Sequence, residues 1–148
     1  MPATAGKGRR LPRLPTSCSF GGVTTTASIL LVEDDSLLRH AFRLLLEDAG
    51  YEVREAGTAA ETLASVADRS PSLILLDLGL PDRPGLDVVR ELMSDPGHRH
   101  IPIVALTGRV GPEERRACIE AGCTQYIPKP IEPRELLRRL PELLGQNR

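Results

Sequence analysis

Asp77 closes a run of four large aliphatics, Leu73-Ile74-Leu75-Leu76, and a carboxylate at the end of a buried strand is oriented by rigid backbone rather than by a mobile loop. Held in that way it can attack phosphorus and form an aspartyl phosphate. Three more apolar runs end on groups that could serve the same chemistry: Ile29 to Val32 on Glu33-Asp34-Asp35, Ile101 to Leu106 on Thr107, and Tyr126-Ile127-Pro128 on Lys129. Three adjacent acids repel one another unless a cation is shared. Mg²⁺ suits them, because it takes oxygen ligands, is held by one or two carboxylates plus waters, and neutralises phosphate charge during transfer. The Thr107 hydroxyl can donate to a phosphoryl oxygen.

Lys129 stands out by composition. Of 19 basic residues only two are lysines, and the other, Lys7, lies near the N-terminus, so the body is otherwise entirely arginine. A compact ammonium on a flexible stem can pair with Asp77 and later with phosphoryl oxygens, where a planar guanidinium fork would not fit the same socket.

The elements that must position these groups alternate. Short apolar runs separated by helix-length segments read as buried parallel strands, and ligands in open α/β sheets bind outside the carboxyl ends of such strands. Asp34 or Asp35 can cap a first helix with apolar positions Leu38, Phe42, Leu45, Leu46 and Ala49, ending before Gly50. Tyr51 to Arg54 is a weak second strand. Thr58 and Glu61 form a capping box for a second helix that stops before Pro71. A turn over Pro81 to Gly85 precedes a third helix through Leu86, Val89, Leu92 and Met93. Pro112 to Ala121 form a fourth, closed by Gly122, whose only large apolar residue is Ile119. That helix should be loosely held. A last helix begins near Pro133 and is expected to be interrupted at Pro141, which removes a backbone donor. Five strands and five helices in alternation imply a doubly wound α/β fold with right-handed crossovers.

Acid pair, Asp, Thr, Lys, in that order, with Leu78-Gly79-Leu80-Pro81-Asp82-Arg83-Pro84-Gly85 after the Asp, resembles the receiver domain of two-component response regulators over about residues 28 to 144. The resemblance implies a CheY-like, flavodoxin-like sheet of order 2-1-3-4-5. It implies that Asp77 is the phosphoacceptor, that Asp34 and Asp77 ligate Mg²⁺ directly, Glu33 through water and Gly79 by its carbonyl, and that Asp35 caps the first helix. It makes Thr107 and Tyr126 the switch pair, with Tyr126 turning inward on phosphorylation, and the Lys129–Pro130 bond cis. The implied donor is a histidine kinase or histidine phosphotransfer protein, and the implied activity is no more than phosphoryl acceptance and self-dephosphorylation. Two other readings have their own signatures. A haloacid-dehalogenase-like phosphatase wants a second Asp two residues after the nucleophile, where this chain has Gly79, and an acid pair after the Lys rather than before it. A degenerate receiver scaffold would lack part of the switch chemistry, and none is missing.

The 148 residues suit one domain, taken as 28–148 behind a tail of 1–27. The tail holds Lys7, Arg9, Arg10 and Arg13 and no acid, leaving 15 basic against 20 acidic residues in the body. That balance offers no electrostatic footprint for nucleic acid. The tail reads as disordered, with some look of a transit peptide; a second reading, that the true start lies further in near Val23, stays open. Cys18, Cys118 and Cys123 are an odd set without zinc-finger spacing, expected to be reduced thiols in a cytoplasmic protein. His40, His98 and His100 read as surface residues. No apolar run reaches membrane-spanning length. With no output domain after residue 148, the chain is expected to act alone, through contacts with a downstream protein. Pro141 puts in doubt any dimer built on a long last helix.

Overall fold

The computed structural model describes residues 17–20, 23–109 and 111–145. Two short strands, β1 (Ser17–Phe20) and β2 (Val23–Thr26), pair antiparallel as a separate ladder. The expected disordered tail therefore contains regular pairing between Ser17 and Thr26, while residues 1–16, 21 and 22 lie outside the described residues. The signal was present in the sequence: Val23 to Thr26 is a run rich in β-branched residues, the composition of a strand.

The body alternates as expected: β3 (Ser28–Val32), α1 (Ser36–Asp48), β4 (Glu52–Ala56), α2 (Ala59–Asp68), β5 (Leu73–Asp77), α3 (Gly85–Met93), β6 (Ile103–Thr107), α4 (Pro112–Ala121), β7 (Gln125–Pro128) and α5 (Pro133–Gly145). Strands β3 to β7 form one all-parallel sheet in the order β4-β3-β5-β6-β7, which is 2-1-3-4-5 counted within the sheet. Successive side chains of a strand face opposite ways, and both faces are filled. Ile29, Leu31, Leu73, Leu75, Val104, Leu106 and Ile127 pack with α1 and α5. Leu30, Val32, Ile74, Leu76, Ile103 and Ala105 pack with α2, α3 and α4. The three inner strands β3, β5 and β6 are buried along their whole length and almost wholly aliphatic, as strands covered on both sides are, whereas the edge strand β4 carries Glu52, Arg54 and Glu55.

Three helices depart from expectation. In α1 only Phe42 and Leu46 are buried; Leu38 and Leu45, expected inside, are exposed, as are Leu37 and Leu44. Helix α4 is anchored by Cys118 and Ala121, while Ile119 is 48% exposed. Helix α5 runs on through Pro141. The ring costs about 3 kcal/mol in a helix interior, but Leu136, Leu140 and Leu143 are all buried on one stripe, at about 1.5–3 kcal/mol each. Packing outweighs the break.

Gly122, the C-cap of α4, has φ 122°, and a Cβ there would fall 2.4 Å from Met93 Cγ. Cys118 and Cys123 are buried free thiols 3.8 Å apart. His40 and His100 are exposed, and the half-buried His98 lies 3.3 Å from Asp95. Among the described residues, no helix is long and apolar enough to cross a membrane.

Candidate functional site

Strand register brings the predicted groups to one edge. Val32 pairs with Leu76, so Glu33 and Asp77 emerge side by side. Asp77 pairs with Leu106 and Thr107 with Pro128, and the Lys129 N–H donates to the Thr107 carbonyl at 2.7 Å. Ends of β3, β5, β6 and β7 thus converge. The Lys129–Pro130 peptide is cis.

Lys129 Nζ lies 3.1 Å from Glu33 Oε1 and 3.4 Å from Asp77 Oδ2. The other Asp77 oxygen, Oδ1, accepts from the Gly79 N–H at 3.1 Å. Glu33, Asp77 and Thr107 are buried, whereas Asp34 is exposed. One carboxylate oxygen from each of Glu33, Asp34 and Asp77 falls within a 4.8 Å cluster. Such hard oxygen donors, two of them desolvated and short of positive charge, fit a small divalent cation. Asp35 stands apart from this set: its Oδ1 accepts from Leu37 N and Leu38 N at 3.1 and 3.2 Å and caps α1.

The charges in the cluster are under strain. Burial pushes the Glu33 carboxyl up to about 7, with the Lys129 hydrogen bond opposing and Asp77 adding to the rise. Burial works against the Lys129 ammonium too, but Glu33 and Asp77 outweigh it and hold its pKa above the usual lysine value. One ammonium does not compensate two buried carboxylates, which is the condition under which a further cation is drawn in.

Thr107 lines the same cleft as Asp77, a cavity of about 770 Å³ between the loop after β5 and the start of α4. Its Oγ1 accepts from the Arg109 N–H at 3.0 Å. Tyr126 is only 8% exposed, and its hydroxyl donates to the Arg109 carbonyl. The inward position expected only after phosphorylation is thus already occupied, since Arg109 supplies the partner that a buried phenol requires. Thr107 and Tyr126 meet on the two polar groups of one peptide residue, Arg109.

The supporting contacts of three residues were missed in the sequence. Arg39, on α1, donates to the Glu33 carbonyl at 2.6 Å and pairs with Glu55 on β4 at 2.7 Å. Arg43 pairs with the other Glu55 oxygen at 2.6 Å. Gly85 donates to the Leu78 carbonyl at 2.9 Å, and a Cβ there would fall 2.6 Å from Leu78 Cα. No local pattern announces these contacts.

The comparisons with known proteins converge on one family. The model of the response regulator receiver domain matches residues 29–141. The phosphate regulon transcriptional regulatory protein PhoB of Pseudomonas aeruginosa is 39% identical over 117 residues, covering 79% of this chain and 51% of that protein. The polar-differentiation response regulator DivK of Brucella abortus is 35% identical over 120 residues, covering 81% of this chain and 98% of DivK. The chain spans about half the length of PhoB. A CheY-like receiver domain protein from Methanospirillum hungatei superposes with a TM-score of 0.78 at 32% identity, covering 83% of this chain and 97% of that one. Vibrio cholerae CheY4 gives a TM-score of 0.76 at 30% identity, covering 80% and 99%. The match to the family model over 29–141, on a sheet of this order and a strand-end cluster of Glu33, Asp34, Asp77, Thr107 and Lys129, makes the chain a member of the response regulator receiver domain family of two-component signalling.

Proposed function

We propose that this receiver accepts a phosphoryl group on Asp77 from the phosphohistidine of a histidine kinase or histidine phosphotransfer protein, and answers by changing its protein contacts. One observation carries the reading: a nucleophilic carboxylate, an oxygen-donor cluster and an ammonium within hydrogen-bonding reach of both are gathered at one strand edge. An Asp77 carboxylate oxygen forms the new O–P bond as the donor's N–P bond breaks and its electron pair returns to the imidazole. Glu33, Asp34, Asp77 and the Gly79 carbonyl would hold Mg²⁺, which when bound supplies charge neutralisation for the transferring phosphoryl group. Lys129 exchanges part of its pairing with the carboxylates for the new phosphoryl oxygens, and Thr107 donates its hydroxyl proton to another.

The switch follows from the shared partner of Thr107 and Tyr126. A Thr107 hydroxyl drawn to the phosphoryl group gives up its bond from the Arg109 N–H, and the same residue's carbonyl holds Tyr126. Helix α4, anchored by small side chains, lies between these strands and is the element a small bias can shift. The downstream partner surface is read as α4, β7 and α5, where Arg115, Arg116, Arg134 and Arg138 are exposed and Arg139 half-exposed; Arg138 already pairs with Glu135. On α1, which packs on the same sheet face as α5 and whose N-terminus borders the acids, Leu37 is 82% and Leu44 53% exposed. An apolar helical stripe beside the site suits docking of the donor protein.

Hydrogen exchange with and without a beryllofluoride phosphoryl mimic tests the reading. Protection changes should reach residues 108 to 126 and should be lost there in Thr107→Ala. Changes confined to the Asp77 loop, or surviving intact in Thr107→Ala, contradict the coupling. Steady turnover of small phosphoesters would favour a phosphatase instead.

A further inference from the structure

The loop from Leu78 to Pro84 joins Asp77 to α3 and carries Gly79. Its base is closed by the Gly85 N–H on the Leu78 carbonyl, with no room for a side chain between them. Its tip is tied to a different element. Asp82 Oδ1 accepts from the Ala59 N–H at 2.8 Å and Oδ2 from the Ala60 N–H at 3.1 Å. These are the first two amides of α2, which have no partner inside the helix; the Thr58 hydroxyl takes the next, Glu61 N–H, at 3.0 Å. The amides, that of Ala59 foremost, hold the exposed Asp82 carboxyl below the usual carboxylate range.

The start of α2 is in turn fixed to the strand end that bears the acids. The Glu33 N–H donates to the Ala56 carbonyl at 3.0 Å. The Arg39 guanidinium that holds the Glu33 carbonyl lies so close to Gly57 that a Cβ there would fall 2.9 Å from its Nη1. A continuous path of hydrogen bonds and contacts thus runs from Glu33 through Ala56, Gly57 and the α2 amides to Asp82, and along its loop back to Gly79 and Asp77.

We infer that Asp82 is a positioning residue for the cation site: it latches the loop carrying Gly79 to the frame carrying Glu33 and Asp34, and so sets the span between ligands on different strands. The inference rests on the Mg²⁺-dependent reading above. A latch of this kind acts on affinity and not on the transfer step, because once the cation has seated the loop the groups around Asp77 are the same with or without it. A plain surface cap for α2 would affect helix stability and leave cation binding untouched.

The experiment measures Mg²⁺ binding to the full chain by calorimetry and by amide NMR, together with the rate of labelling by acetyl phosphate as a function of Mg²⁺, for wild type, Asp82→Ala and Asp82→Asn. Asp82→Ala should raise the Mg²⁺ Kd about tenfold, the scale on which lost outer hydrogen bonds weaken metal sites. Its labelling rate at saturating Mg²⁺ should stay within about twofold of wild type, as expected when only ground-state binding is lost. Asp82→Asn, which keeps one carbonyl acceptor, should fall between. The Ala59 and Ala60 amide signals should respond to Mg²⁺ in wild type and not in Asp82→Ala. A folded Asp82→Ala with wild-type Mg²⁺ affinity overturns the inference, and so does a labelling rate that stays low at saturating Mg²⁺. If Asp82→Ala does not fold, the same comparison on Asp82→Asn decides. A wild-type chain that binds no Mg²⁺ brings down the metal reading itself, which is distinct from a variant that binds as wild type does.

Discussion

Lys129 carries the positive charge that lets Glu33 and Asp77 lie buried beside each other, at 3.1 and 3.4 Å. A guanidinium would keep the charge and lose the geometry, since its donors form a rigid plane rather than a point. Lys129→Arg keeps the charge and should therefore still fold cooperatively, yet lose the distal exchange response to beryllofluoride. Thermal unfolding and hydrogen exchange on the same sample check both halves, and a normal distal response would contradict the role given to the ammonium. At this scale the sequence was legible wherever chemistry sits at a strand end: Asp77, Thr107 and Lys129 each follow an apolar run, and the acids do too. It was silent on Arg39 and Asp82, whose partners lie 16 and 23 residues away, because such contacts exist only once the loops are brought together. Tyr126 was placed correctly on its strand, but its orientation depended on a carbonyl in another loop.

Elements were read well where pattern and packing agree, and less well where they compete. Thr58 and Asp35 cap as their types predict, and Pro112 and Gly122 bracket α4. Helix α5 shows the competition most clearly: a helix breaker and a three-leucine stripe occupy the same segment, and burial decides. Pro141→Ala should accordingly stabilise the protein by about 1 kcal/mol or more, since alanine restores the missing donor in a helix that already exists. Gly85→Ala should act oppositely and cost about 1–3 kcal/mol, as overpacking does, because its Cβ would meet backbone and not a movable side chain. Denaturant unfolding measures both. A destabilised Pro141→Ala would mean that the ring fills a needed contact, and a neutral Gly85→Ala would mean that the loop base gives way. Periodicity alone misread α1, because a helix with leucines on two faces does not say which face the core will take.

For the molecule as a whole, strand order and layer assignment follow from alternation and handedness, and these were the most legible features of all. The β1–β2 ladder stands outside that logic: its strands pair only with each other among the described strands, and an isolated two-stranded ladder is marginal in water. Deleting residues 1–26 should shift stability by less than about 1 kcal/mol, small against a whole domain, and leave phosphorylation unchanged; a larger loss in thermal unfolding would show that this segment docks. What the fold exists to do is bring four strand ends to one point, and the most direct test of that claim is chemical. Intact-mass analysis after incubation with acetyl phosphate should show a single phosphoryl adduct, mapped to Asp77, formed with Mg²⁺ and absent after chelation. Equal labelling of Asp77→Asn, or labelling that survives removal of Mg²⁺, would contradict the account.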